Sequence, residues 1–136
     1  MAGELEGGAP ASLLLYPPVF LNWFQKRGWT PRTHQSELLN IANAGSSALL
    51  IAPTGAGKTL AGFLPSLIEL FQKPKRRIGE RPRGVHTLYI SPLKALAVDI
   101  ERNLMKPVTE MGLAISVETR TGDTPVHKRQ RQKLNP

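Results

Sequence analysis

The chain has 136 residues, of which 40% are hydrophobic, and this is long enough for one globular domain with a core but too short for two. It contains no cysteine, which excludes disulfides and thiolate zinc sites, and its three histidines are too far apart in sequence to form a local ligand cluster. A lack of cysteine fits a reducing cytoplasm, so we expect a cytoplasmic protein. The formal net charge of +8 favours a polyanionic partner, because clustered Lys and Arg release counterions from nucleic acid.

The first residues predict neither a signal peptide nor a membrane span. Residues 1–8 are acidic and rich in glycine, whereas a signal peptide starts with positive charge. No stretch approaches the roughly 18 uninterrupted apolar residues of a membrane helix, so we expect no membrane partner. Residues 1–16 have little amphipathic pattern and are expected to form a flexible leader before one domain, 17–136.

Two helices are predicted in the first third of the chain. The first opens at Pro17-Pro18, runs to about Lys26 and stops at Gly28. Its core-facing stripe comprises Phe20, Trp23, Phe24 and Arg27. The second takes Thr30 as its N-cap and ends at Gly45.

The remaining pattern alternates strands with helices. Three short segments rich in apolar residues are predicted strands: 48–52, 85–90 and 115–119. Apolar residues at helical spacing predict helices at about 60–71 and 93–104, and another helix is predicted at 126–134. This order implies βαβ units, so the predicted class is α/β, with a parallel sheet flanked by helices.

A phosphate-binding loop is predicted between the first strand and the following helix, at residues 52–59. Gly55 and Gly57 let the backbone turn tightly, so that successive N–H groups and the helix N-terminus point at an anion. Lys58 would reach the β and γ phosphates of a nucleoside triphosphate, and the Thr59 hydroxyl would ligate Mg²⁺. The predicted phosphate contacts are Thr54, Gly55, Ala56, Gly57, Lys58 and Thr59. The alternative is a glycine turn that ends in Lys-Thr by chance; the strand before it and the helix after it favour the phosphate loop.

Ala52 stands where the strict phosphate-loop pattern has glycine, and the form A-x-T-G-x-G-K-T resembles this loop in superfamily 2 helicases. Residues 28–35 resemble the Q motif of those helicases. That resemblance implies that the Gln35 amide donates to and accepts from the adenine edge, and so selects ATP. The alternative for Gln35 alone is an ordinary surface helix residue.

Two segments further along the chain also resemble helicase motifs. Residues 91–99 are similar to motif Ia and residues 119–124 to the motif Ib/Ic region. The resemblance implies contacts to a nucleic-acid backbone from Pro92, Lys94, Thr121 and Gly122. Alternatively, Lys94 is solvated at a helix start and Asp123 serves only its turn.

Taken together, residues from about 18 to 136 resemble the opening of Lhr-type DExH-box helicases, and most closely the bacterial ligase-associated DNA damage response helicase. This implies the N-terminal portion of a first RecA-like ATP-binding domain, with Lys58 and Thr59 as catalytic residues and ATP and Mg²⁺ as cofactors. It also implies single-stranded DNA or RNA as a partner, with the remainder of the helicase chain, and a role in DNA repair.

The acidic motif of that family is missing from this sequence. Hydrolysis needs an acidic pair on another strand for Mg²⁺ and water, and arginines from a second domain. The chain contains no Asp-Glu dipeptide and stops before the expected D-E-x-H position. We therefore expect that this chain alone neither hydrolyses ATP nor unwinds nucleic acid, and that the incomplete sheet leaves apolar surface exposed.

Other functions remain open at this point. The chain could be a nucleotide-binding or nucleic-acid-binding module without turnover, a truncated product without a role, or another P-loop enzyme such as a small kinase or GTPase. Two basic stretches, about 73–83 and 128–133, are either solvated surface or strand contacts, and charge runs favour the former.

Overall fold

The computed structural model describes residues 11–75, 78–79 and 84–136. These residues form a 3-10 helix at Ala11–Leu15, followed by the α-helices α1 (Pro18–Lys26), α2 (Thr33–Asn43), α3 (Lys58–Gln72), α4 (Lys94–Glu110) and α5 (Val126–Leu134). The chain divides into two compact units, Met1–Ile68 and Glu69–Pro136. None of the helices described is both long and apolar enough to span a membrane.

Helix α1 is confirmed at both ends. A proline occupies its first position, where the missing N–H costs no intrahelical hydrogen bond. Gly28 follows the helix with φ of +65°, a conformation that glycine adopts without strain. The predicted stripe buries Phe20, Trp23 and Phe24, and the last two rings meet edge to face with centroids 5.1 Å apart.

The fourth residue of that stripe, Arg27, has a different role from the three aromatic residues. It is partly exposed, and its guanidinium lies 5.2 Å from the ring centroid of Trp23 and 5.0 Å from that of Trp29. These are cation–π distances. An arginine can therefore occupy an apolar stripe, because its guanidinium makes cation–π interactions with two indole rings.

The first ten residues of the expected leader, 1–16, lie outside the described residues. Its remaining part is the 3-10 helix, after which Tyr16 is buried against α1 and α2. The phenol of Tyr16 and the hydroxyl of Ser36 share a buried hydrogen bond of 3.2 Å. Burial raises the pKa of Tyr16, and the bond from Ser36 partly offsets this.

Helix α2 begins later than predicted. Its N-cap is Arg32, in an extended conformation with ψ of 152°, so the prediction of Thr30 as N-cap is wrong. The Arg32 N–H donates to the side-chain Oε1 of Gln35, three residues on, at 2.9 Å, and this bond fixes the start of the helix at Arg32. The end is confirmed: Gly45 has φ of +69° and donates its N–H to the Ala42 carbonyl.

Helix α3 follows the predicted phosphate loop. Its buried positions, at three- and four-residue spacing, are Ala61, Leu64, Leu67 and Ile68. The predicted apolar spacing is confirmed at Leu64, Leu67 and Ile68, whereas Phe71, at the end of the predicted segment, is 45% exposed, and the helix begins two residues before Leu60. This start places Lys58 and Thr59 in the first turn.

No strand is present among the described residues, so the predicted parallel sheet is not confirmed. In the segments 48–52 and 85–90, Leu49 and Ile51 are each 85% exposed and Ile90 is 81% exposed. A strand exists only through hydrogen bonds to a neighbouring strand, and an apolar run is buried only when both of its faces are covered. Neither condition is met here. Residues 115–119 keep the predicted alternation, with Ile115, Val117 and Thr119 less exposed than their neighbours.

The second unit contains α4 and α5. Helix α4 runs six residues further than predicted and buries Leu104, Pro107 and Val108 before Gly112, whose φ is +63°. Helix α5 spans the predicted residues and buries none of them. It is linked to the preceding extended segment by the Gln132 amide, which donates to the Thr119 carbonyl at 3.3 Å.

Candidate functional site

The loop before α3 has the backbone that a phosphate cradle requires. Gly55 and Gly57 have φ of +80° and +74°, in the left-handed region that favours glycine, and Ala56 donates its N–H to the Pro53 carbonyl. Because α3 begins at Lys58, the N–H groups of its first turn lack intrahelical acceptors. Such groups are available to an anion.

The side chain of Lys58 folds back onto this loop. Its Nζ atom donates to the carbonyl oxygens of Ala52 at 2.6 Å and Pro53 at 2.7 Å. Both acceptors are neutral and exposed, whereas charged phosphate oxygens make stronger hydrogen bonds to an ammonium. The ammonium is therefore held beside the cradle by contacts that a phosphate can replace.

The loop offers Mg²⁺ a candidate side-chain ligand, the hydroxyl of Thr59. Thr59 is exposed in the first turn of α3, one residue after the lysine. In the part of the chain that the structure describes, no three His, Asp or Glu side chains are grouped as metal ligands. Mg²⁺ in nucleotide sites keeps several waters and takes phosphate oxygens, so one hydroxyl fits this mode of binding.

Gln35 is held against the same loop. It is 3% exposed, so the alternative of an ordinary surface residue is wrong. Its Oε1 atom accepts the backbone N–H of Arg32 at 2.9 Å, which closes the start of α2. Its Nε2 atom lies 3.2 Å from where a Cβ on Gly57 would stand. The structure thus brings the Q-motif glutamine and the second loop glycine together.

Arg32 is a residue of this site that sequence reasoning missed. Its Nη1 atom donates to the carbonyl of Gly55 at 3.3 Å, so the start of α2 meets the loop at two points. The bond joins residues that are 23 positions apart, and no local pattern encodes such a contact. The available signal was an arginine inside the Q-like segment, three positions before Gln35.

The second group of predicted residues lies in the second unit. Lys94, the first residue of α4, forms an ion pair with Asp123. Asp123 belongs to the turn Thr121–Thr124, which also contains Gly122. Pro92 is exposed two residues before Lys94. The ion pair therefore connects the motif Ia-like segment to the motif Ib/Ic-like turn.

The turn is closed by one buried threonine. Thr124 donates its N–H to the Thr121 carbonyl at 3.2 Å, and its hydroxyl oxygen accepts the Thr121 N–H at 2.8 Å. Thr124 is buried, whereas Gly122 and Asp123, which lie between Thr121 and Thr124, are exposed. Sequence reasoning did not single out Thr124.

Acidic side chains neutralise part of the basic stretches. Arg131 pairs with Glu118 at 2.6 Å, and hydrogen bonds from Arg131 and then Gln132 lower the pKa of Glu118. Lys73 pairs with Glu69 at 3.1 Å; the pKa of Glu69 is lowered first by its hydrogen bond to His86 and then by Lys73. The predicted basic residues Arg76, Arg77, Arg81 and Arg83 lie outside the described residues.

Comparison with known proteins gives the class. Residues 32–135 match the DEAD/DEAH box helicase family, and the chain belongs to that family. Its fold class is therefore the RecA-like P-loop fold, and helicases of this family generally use ATP with Mg²⁺ and bind nucleic acid. The alternative of a small kinase or GTPase is wrong.

The relatives narrow the class to Lhr-type helicases. The chain is 39% identical to the Lhr helicase/uracil glycosylase of Escherichia coli, over 93% of this chain and 9% of that protein. It is 34% identical to the ATP-dependent helicase Lhr-Core of Sulfolobus acidocaldarius, over 91% of this chain and 15% of that protein. The Lhr-type resemblance is confirmed, and the chain spans less than a fifth of the length of these relatives. The finer resemblance to the ligase-associated helicase stays a prediction. No solved structure matches the chain.

Proposed function

We propose that this chain is the ATP-binding N-terminal portion of an ATP-dependent DNA helicase of the Lhr type, with residues 17–136 as part of its first RecA-like domain. The observation that carries the proposal is the loop from Gly55 to Thr59. Two glycines in left-handed conformations lead directly into a helix whose first residue is the lysine. In a DEAD/DEAH helicase this is the arrangement that holds a triphosphate.

In this proposal the loop binds ATP through several kinds of contact. The backbone N–H groups of residues 54–59 surround the phosphates, and Lys58 exchanges the carbonyls of Ala52 and Pro53 for phosphate oxygens. Thr59 would ligate Mg²⁺, which would supply positive charge to the phosphates. Gln35 reads adenine; its position against Gly57, a glycine of the same loop, supports this role.

The proposed nucleic-acid contacts are Pro92, Lys94, Thr121 and Gly122. The ion pair from Lys94 to the turn of Thr121 and Gly122 supports them, because it joins segments from different parts of the chain. The proposed ligand is the backbone of single-stranded DNA, with RNA as the second choice. The Escherichia coli relative is named a helicase and uracil glycosylase, and this supports a role in DNA repair. A cytoplasmic location is part of the same proposal.

The proposal also includes the family's parallel sheet, with residues 48–52, 85–90 and 115–119 as its strands. The exposed apolar side chains of residues 48–52 and 85–90 support this, because such surface is stable when neighbouring strands and helices cover it. The alternating exposure of residues 115–119 supports the third strand. The remainder of the helicase chain is the proposed partner. Without an Asp-Glu pair, the 136 residues bind ATP but do not turn it over.

A second candidate function is a nucleotide- and nucleic-acid-binding module without turnover in any context. The missing Asp-Glu dipeptide is the observation that favours it. The two candidates differ in the reading frame beyond codon 136. An in-frame D-E-x-H favours the helicase, and its absence favours the module.

The binding claim is tested by equilibrium competition. A fluorescent ATP analogue is bound to the purified chain with Mg²⁺ and displaced by ATP or by GTP. We expect ATP to displace it at lower concentration than GTP, and Gln35→Ala to reduce that preference. Equal displacement by both nucleotides in the wild type would refute adenine selection. Steady phosphate release that Lys58→Ala abolishes would refute the claim of no turnover.

A further inference from the structure

The ion pair between Lys94 and Asp123 joins two segments that we propose as contacts to the nucleic-acid strand. Lys94 begins α4, and Asp123 lies in the turn between Thr121 and Thr124. Both side chains remain accessible to water, at 59% and 72% exposed. The ammonium that would meet a phosphate is therefore already paired with a carboxylate of the same chain.

The position of that carboxylate is set by the turn. Thr124 closes the turn with two hydrogen bonds to the backbone of Thr121, at 2.8 and 3.2 Å, and is itself buried. Asp123 sits between this anchored residue and Gly122. The pair thus holds Lys94 next to the turn rather than in one of the many other rotamers of a lysine on the surface.

An exposed pair of this kind is weak, because water screens both charges and two side chains lose rotamer freedom. A nucleic-acid strand offers a competing anion, and its binding is driven by the release of condensed counterions. Phosphate and the Asp123 carboxylate therefore compete for one ammonium. The ammonium has three N–H donors, so a phosphate can approach Lys94 while the pair persists, but the nearby carboxylate repels that phosphate until the pair is broken.

We propose that Asp123 is a positioning residue of the nucleic-acid site, whose carboxylate holds Lys94 at the turn Thr121–Thr124 until a backbone phosphate displaces it. This inference rests on the proposed role of Lys94 as a strand contact. It assigns Asp123 a role beyond that of a turn residue. The carboxylate lowers the affinity for the strand and keeps the lysine at the place where the strand binds.

The test is the affinity of the purified chain for a labelled single-stranded oligodeoxythymidine, measured by fluorescence anisotropy across a salt series. Asp123→Asn removes the competing charge, and we expect it to tighten binding about two- to five-fold. Asp123→Glu keeps the carboxylate and should bind like the wild type. Lys94→Ala should weaken binding and reduce the slope of log affinity against log salt by about 0.7.

Two further variants separate a specific pair from a change in net charge. Glu37→Gln removes one negative charge from an exposed position on α2, where the described residues provide no ion pair for it. It should tighten binding less than Asp123→Asn. In the Lys94→Ala background, Asp123→Asn should have at most the effect of Glu37→Gln, because no ammonium is left to release.

The outcomes distinguish this inference from the proposed function. Suppose that Lys94→Ala weakens binding, but Asp123→Asn tightens binding no more than Glu37→Gln does. Or suppose that Asp123→Asn tightens binding as much in the Lys94→Ala background as in the wild type. The positioning role is then wrong and the strand contact stands. If Lys94→Ala changes neither affinity nor salt slope, the proposed contact is wrong and this inference falls with it. Circular dichroism of each variant checks that the helices are intact.

Discussion

The side-chain amide of Gln35 fills the space beside Gly57, where an added Cβ would stand 3.2 Å from Gln35 Nε2. This is closer than an ordinary van der Waals contact, so the glutamine leaves room for glycine and little else. The same glutamine closes the start of α2 through the Arg32 N–H. Gln35 therefore lies between the loop and the start of α2, and we expect a side chain added at Gly57 to disturb both.

Replacement of Gly57 should show this coupling. Gly57→Ala imposes a side chain on a backbone with φ of +74° and also pushes against Gln35, so we expect the free energy of unfolding to fall by about 1–2 kcal/mol. Gly55→Ala meets the same backbone strain with φ of +80° but has open space, and should cost less. Urea denaturation measures both. Equal losses would mean that the Gln35 contact carries no energy.

A glycine inside a helix should respond to alanine in the opposite direction from the two loop glycines. Gly62 lies inside α3, and nothing stands within 4 Å of an added Cβ. Gly62→Ala should therefore raise the free energy of unfolding by about 0.5–1 kcal/mol, because it restricts the unfolded chain without strain in the folded one. A loss of stability at this position would contradict the described course of α3.

The bond between Tyr16 and Ser36 predicts a non-additive pair of substitutions. Tyr16→Phe leaves a buried hydroxyl on Ser36 without its partner, and should lower the free energy of unfolding by about 1 kcal/mol. Ser36→Ala should act in the same direction. The double variant should lose less than the sum of the two, because no unpaired hydroxyl remains. Additive losses in urea denaturation would show that the two hydroxyls do not interact.

The response of stability to acid should include a contribution from Glu118. Its pKa is lowered from the ordinary value of 4.5 by the hydrogen bond from Arg131 and then by that from Gln132. Because the folded-state pKa is the lower one, the stabilisation is complete above about pH 4.5 and is lost as the pH falls through the folded value. Glu118→Gln should remove this acid-dependent part of the unfolding profile.

Glu69 has a pKa lowered in the same direction, so some acid dependence should persist in Glu118→Gln. A profile for Glu118→Gln that coincides with the wild type between neutral pH and pH about 3 would contradict the assigned pair.

Helix ends and apolar faces were predictable because they depend on neighbours in sequence. Gly28 and Gly45 both have positive φ where a stop was predicted, and the buried face of α3 follows the three- and four-residue spacing. The start of α2 was misplaced because the capping preference of Thr30 was followed, whereas the hydrogen bond from the Arg32 N–H to Gln35 Oε1 starts the helix two residues later.

Contacts between distant residues could not be predicted in this way. The bond from Arg32 to Gly55 and the ion pair from Lys94 to Asp123 depend on how separate segments meet in space. The strands raise the same difficulty, because a strand needs a partner and an alternating or apolar sequence cannot supply one. The phosphate loop was predicted from its glycines and lysine, and Gln35 and the strand contacts from the helicase resemblance, whereas the supporting residues Arg32 and Thr124 are identified only by the structure.

The central claim is that the loop before α3 holds the phosphates of ATP through Lys58, and a titration of Lys58→Ala tests it most directly. The affinity for a fluorescent ATP analogue with Mg²⁺ is compared among the wild type, Lys58→Ala and Lys106→Ala, which removes an exposed lysine of α4. We predict that Lys58→Ala weakens binding at least about tenfold, since a charge-assisted hydrogen bond is lost, while Lys106→Ala has no effect. Equal affinities for the wild type and Lys58→Ala would contradict the claim.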